Sequence, residues 1–225
     1  MKLPEILEKE FDVFFSNLGY DRVTNIIGSS PPFKNADYIN QQKQTIIELK
    51  ILDKDFFRDG GIIDRFNATV VVPQNIDASG YGVYKFSLPP ENRENRIDTF
   101  EEPLRRILKK ANRQLKETKN YFFEGQGDGI VLLAINRFVS LHPMIIANLI
   151  SELLKQEFSS ISNFILCTPT TSFFFDDTQR YEPICLTRQH SECTHKVNSV
   201  SENLIQNWYD FTRAGGHSNS QQSIE

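Results

Sequence analysis

The chain has 225 residues, of which 39% are hydrophobic and 12% aromatic, and 25 Lys and Arg against 29 Asp and Glu give a formal net charge of −4. No run approaches the roughly 20 apolar residues that cross a bilayer, and the first residues lack the apolar core of a signal peptide, so a membrane protein is excluded at this stage. Three cysteines are too few and too odd a number for a disulfide framework; a cytoplasmic protein is expected, with a single domain over residues 1–212 and a disordered polar tail over 213–225.

Residues 3–19 place Leu3, Ile6, Leu7, Phe11, Phe14, Phe15 and Leu18 at helical spacing, with Gly19 as the stop. A strand is predicted next, over Arg22–Gly28. The segment from Asn35 to Ile51 is the most informative. Side chains alternate along a strand, so Glu48 and Lys50 share one face while Ile47, Leu49 and Ile51 occupy the other. Pairing residues 36–40 with 45–51 across Gln41–Gln44 sets residue 40 against 45 and Asp37 against Glu48.

Two opposed carboxylates repel each other unless a cation lies between them. Mg²⁺, with Mn²⁺ as a substitute, suits this donor set. It takes oxygen ligands, and Asp37, Glu48, the Leu49 carbonyl and a substrate phosphate oxygen supply them. Lys50 then orients or deprotonates the attacking water, or neutralises charge growing on phosphorus. The alternative reading of the same residues is a cross-strand ion pair on a solvated sheet face.

Asp37 followed by Glu48-x-Lys50 resembles the PD-(D/E)xK nuclease superfamily, over roughly residues 5–137, with Ala36 where the eponymous proline would stand. The resemblance implies an α/β fold of restriction-endonuclease-like type, a mixed central sheet flanked by helices. It also implies Mg²⁺-dependent phosphodiester hydrolysis, with DNA as the substrate before RNA and endonucleolytic cutting before exonucleolytic. Its helical glutamate matches Glu10 best, with Glu8 and Glu5 behind, and the glutamine of some branches matches Gln114. A nuclease-like binding module without catalysis is the runner-up. A second Glu-x-Lys, Glu117-Thr-Lys119, lies in a helical segment and lacks a hairpin partner.

Beyond the motif, residues 53–72 suit a loop followed by a short helix or strand. Gly80–Ser87 suits a strand, and the charged run after Leu88-Pro-Pro a connection. Residues 101–122 carry Leu104, Leu108, Ala111, Leu115 and Thr118 on one helical face. Arg105, Arg106, Lys109, Lys110, Arg113, Lys116 and Lys119 make the opposite surface basic, the best phosphate-contacting candidate in an acidic chain. Gly129–Asn136, residues 142–158 and Ile161–Cys167 read as strand, helix and parallel strand.

Phe173-Phe174-Phe175 suits an exposed patch or a strand in a dimer interface; a homodimer fits double-strand cutting by two symmetric sites. Cys185, His190, Cys193 and His195 are four residues of types that bind zinc, but their spacing lacks a paired Cys-x2-Cys, so free thiols in a polar loop are the default. A last helix over Ser199–Phe211 turns Leu204, Ile205, Trp208 and Tyr209 inward.

Overall fold

Apolar residues spaced three and four apart begin the chain as a helix, and apolar runs of β-branched residues follow as strands. The computed structural model describes residues 7–28, 30–53, 69–71, 85–87, 96–136, 143–175, 178–187 and 195–213. Helix α1 (Glu8–Asn17) is followed by β1 (Asp21–Arg22), α2 (Val23–Ile27), β2 (Tyr38–Asn40) and β3 (Thr45–Leu52). Then come β4 (Thr69–Val71), β5 (Lys85–Ser87), α3 (Arg96–Phe123), β6 (Asp128–Ile135), α4 (Pro143–Gln156), β7 (Asn163–Phe175), β8 (Thr178–Thr187) and α5 (His195–Phe211).

Six strands form one mixed sheet in the order β1-β2-β3-β6-β7-β8, and β4 pairs with β5. The β1–β2, β2–β3 and β7–β8 pairs are antiparallel, whereas β3–β6 and β6–β7 are parallel. The predicted strand, helix and parallel strand of the third quarter are therefore β6, α4 and β7.

The period-two alternation of β3 divides the core. Ile46 and its neighbours Ile39, Val131, Leu133 and Leu166 pack under Leu104, Leu108 and Leu115 of α3 and Ile146 and Ile150 of α4. Ile47 and Leu49 face the other way, with Leu132 and Ile165, onto Phe11 and Phe15 of α1 and Leu204 and Trp208 of α5. The Phe11 and Trp208 rings stack at 4.6 Å. Full burial of an apolar side chain contributes about 1.5–3 kcal/mol, so these two layers hold the sheet from both sides.

Local signals end the elements. After α1 the Gly19 and Tyr20 N–H groups return to the Ser16 and Phe15 carbonyls, which requires the left-handed backbone at Gly19, φ +75. The predicted strand over 22–28 stops early. Its partner β2 is short, so after Val23 N–H has reached the Asp37 carbonyl the chain finds its next hydrogen bonds within α2 instead. Helix α3 begins at Arg96, ahead of the predicted start, and runs through Pro103.

The polar stretch read as a cysteine-bearing loop is in part β8. Cys185 stands opposite Cys167, with the Cα atoms 4.2 Å apart and the sulfurs joined, so it is not a free thiol and its sulfur is not open to zinc. Of the other proposed zinc ligands, His190 and Cys193 lie outside the described residues and His195 opens α5. Phe173–Phe175 pair with Thr178–Arg180 in the β7–β8 hairpin. Most of residues 54–95 and the tail from 214 onward lie outside the described residues. No helix among the described residues is long and apolar enough to cross a membrane.

Candidate functional site

Strand β3 lies between β2 and β6, and its even-numbered side chains face α3. The register Tyr38↔Ile47, Ile39↔Ile46 and Asn40↔Thr45, continued by one step, sets Asp37 opposite Glu48 as hairpin arithmetic predicts. Asp37 lies just outside β2, where its N–H reaches the Ile47 carbonyl at 3.2 Å. Its Oδ2 accepts the Leu49 N–H at 2.8 Å, and its Oδ1 lies 3.9 Å from the Arg22 guanidinium. In a strand the N–H and carbonyl of one residue leave by the same edge, so the Leu49 carbonyl faces the Asp37 side as well.

The Glu48 side chain is 0% exposed. Its Oε1 accepts from the Lys50 ammonium, but its Oε2 is buried without a hydrogen-bond partner. Burial, and then the Asp37 charge, push the Glu48 carboxyl up to about 8, against the pull of Lys50 and Lys110. Burial also raises Asp37 above its ordinary value, opposed by the Leu49 N–H, Lys50 and Arg22. A solvated ion pair does not describe this site, because a buried oxygen without a partner costs about 1–3 kcal/mol.

Helix α3 fastens the site from above. Lys50 Nζ donates to Gln114 Oε1 at 3.2 Å, and Gln114 Nε2 donates to the Asn35 carbonyl at 2.8 Å. The Ala36 N–H donates to Thr118 Oγ1 at 2.9 Å and the Lys34 N–H to Glu117 at 2.6 Å. The segment leading into Asp37 is thus pinned to one side of α3 by Gln114, Glu117 and Thr118. Glu117, the second Glu-x-Lys acid, serves as a backbone acceptor and partner of Arg113.

Comparison with protein-family models, with curated proteins and with solved structures finds no match to this chain.

The structure does not bring Glu10 to these residues. Helix α1 packs on the Ile47 and Leu49 face, and Glu10, 5% exposed, accepts the Leu7 N–H at 2.8 Å at the helix start. The acids of α1 that approach the site are Glu8 and Asp12, one turn apart. Both pair with Arg22, whose guanidinium also lies 5.0 Å from the Tyr38 ring. Arg22 carries no local signal in the sequence, and Thr118 reads there as a member of the apolar face, although a hydroxyl on a buried stripe is itself a clue.

The basic surface of α3 is less basic than its sequence. Arg105 pairs with Glu101 and Glu157, Arg106 with Glu102, and Arg113 with Glu117. Lys119 is buried against Gly129, and desolvation lowers its amine below the ordinary value while Asp128 opposes the shift. Lys109, Lys110 and Lys116 are exposed. At 3.6 residues per turn, Lys110 lies in line with Gln114, whereas Lys109 and Lys116 lie roughly two-fifths of a turn away.

Among the described residues no group of three or more His, Cys, Asp and Glu is close enough to hold a metal. Asp37, Glu48 and the Leu49 carbonyl are the oxygen donors at hand. The partnerless Glu48 Oε2, next to a second carboxyl that burial also disfavours in its charged form, fits a hard divalent cation that retains several waters.

Proposed function

We propose that the chain is a Mg²⁺-dependent nuclease of the PD-(D/E)xK kind with a restriction-endonuclease-like fold, a DNA endonuclease acting in the cytoplasm in defence or DNA processing. The observation that carries the reading is the buried, partnerless Glu48 Oε2 beside Asp37, with Lys50 held over the pair by Gln114. Asp37, Glu48 and the Leu49 carbonyl would hold Mg²⁺, or Mn²⁺ in its place. When bound, the ion supplies a Lewis acid for the phosphate and lowers the cost of deprotonating water.

The chain's own residues do the rest. Lys50, its ammonium shared between Glu48 and Gln114, orients the water and offsets charge that grows on the phosphate oxygens. Water adds to phosphorus and gives up a proton to solvent, the P–O bond to the departing strand end breaks, and the departing alkoxide takes a proton back from solvent to leave as a hydroxyl. Lys110, exposed beside Gln114, is placed to contact a flanking phosphate.

Purified protein with Mg²⁺ or Mn²⁺, offered plasmid, linear, branched and single-stranded DNA, should cut at least one of them. Asp37→Ala and Lys50→Ala should cut none while keeping the wild-type circular dichroism. No cleavage of any substrate, or variants as active as wild type, would remove the catalytic claim. One observation favours the alternative of a nucleic-acid-binding module without catalysis: among the described residues no third acid joins Asp37 and Glu48. That alternative keeps metal and DNA binding but no turnover.

A further inference from the structure

Tyr121 stands 58% exposed near the end of α3, its ring 5.0 Å from that of Phe33 with 31° between the planes. At helical spacing Lys110, Gln114, Glu117 and Tyr121 follow one line along α3. Residues 33–36 run beside it, fastened to Glu117, Gln114 and Thr118. Gln114 marks the position of Lys50. The rise of 1.5 Å per residue puts the aromatic face about 10 Å farther along the helix, roughly the length of three stacked nucleotides.

The chemistry of the line suits a strand rather than a peptide. The exposed amines of Lys34 and Lys110 border it. Its one acid, Glu117, is already engaged by the Arg113 guanidinium and the Lys34 N–H, both at 2.6 Å, and the Arg113 and Lys34 contacts hold its carboxyl below the ordinary value. An aromatic face flanked by cations is what an unpaired base and its phosphates require. Within a continuous duplex each base is covered by its neighbours, and a protruding tyrosine has no free face to stack on.

We propose that the Phe33–Tyr121 pair is a stacking platform for an unpaired base of a DNA strand whose phosphates pass Lys34 on the way to Lys50 and continue beyond it to Lys110. The substrate class is then single-stranded or frayed DNA rather than uninterrupted duplex. The direction of the strand rests on the nuclease reading; the stacking itself does not.

The test is binding of the full chain in EDTA, read by fluorescence anisotropy with a labelled single strand and a blunt hairpin of equal phosphate number, its loop replaced by a base-free glycol linker, at fixed salt. Wild type should prefer the single strand. Tyr121→Ala should weaken that binding about tenfold, the loss of one stacked base, and leave the hairpin unchanged. Tyr121→Trp should retain affinity, with its indole emission quenched by the single strand. A wild type that binds neither DNA or prefers the hairpin, or a Tyr121→Ala loss that is absent or equal on both, overturns the platform. Mg²⁺-dependent cleavage is scored separately on the same DNAs. Binding that depends on Tyr121 without cleavage sinks the nuclease reading and leaves the platform standing, whereas cleavage with Tyr121-independent binding does the reverse.

Discussion

Glu48 is a carboxyl whose proton is held more tightly in the folded chain than in the unfolded one, and this sets a pH dependence of definite sign. Below its ordinary value of 4.5 both states are protonated and the group contributes nothing. As pH rises from there to about 8 the unfolded chain loses the proton while the folded chain keeps it, so metal-free stability falls across that window, and the loss is complete above it. Asp37, raised in the same direction, adds to the slope. Metal-free denaturation in urea should therefore show stability dropping by on the order of 3 kcal/mol between pH 5 and 8. In Glu48→Gln the drop should be much smaller; a variant with the wild-type slope would contradict the assignment. The residue pair was legible beforehand because strand alternation and hairpin symmetry fix which side chains face each other. The placement of Glu10 was not legible, because helix periodicity gives the direction of a side chain around its axis but not the sheet face on which the helix lands.

Helix α3 positions the site through hydrogen bonds to the backbone of residues 34–36. Thr118→Val keeps the shape but leaves the buried Ala36 N–H without its acceptor, which should cost about 1–3 kcal/mol. It should also reduce cleavage by more than Arg106→Ala, a change at an exposed pair far from that segment; equal effects would show that α3 only packs. A second element-level test is Gly129 in β6. A Cβ there would sit 2.2 Å from the Ser160 carbonyl oxygen and 3.0 Å from Lys119 Cε, so Gly129→Ala should lower stability by about 1–3 kcal/mol or more in thermal denaturation. The apolar stripe of α3 was readable from its spacing. The extension of β7 and the existence of β8 were not, because Thr168–Phe175 and Thr178–Thr187 have no clean alternation and are strands by virtue of pairing with each other.

At the scale of the whole molecule, the proposed metal site predicts a link between metal and fold, because a cation that bound only the folded Asp37–Glu48 arrangement would stabilise it by mass action. At about 100 times the dissociation constant the gain is ~2.7 kcal/mol, so Mg²⁺ should raise the melting temperature of wild type and not of Glu48→Gln. A rise of equal size in both would place the ion elsewhere. The sequence by itself determined the elements whose periodicity is strong and the local register of one hairpin, hence that Asp37, Glu48 and Lys50 converge. Those are contacts between neighbours in the chain, fixed by backbone geometry. Tertiary structure alone decided that Glu48 is sealed from water, that Gln114 and Thr118 hold the segment before Asp37, that Arg22 gathers the acids of α1, and that acidic neighbours offset the arginines of α3. Each depends on which faces of distant segments meet, and that is settled by burial of the two apolar layers rather than by any local pattern.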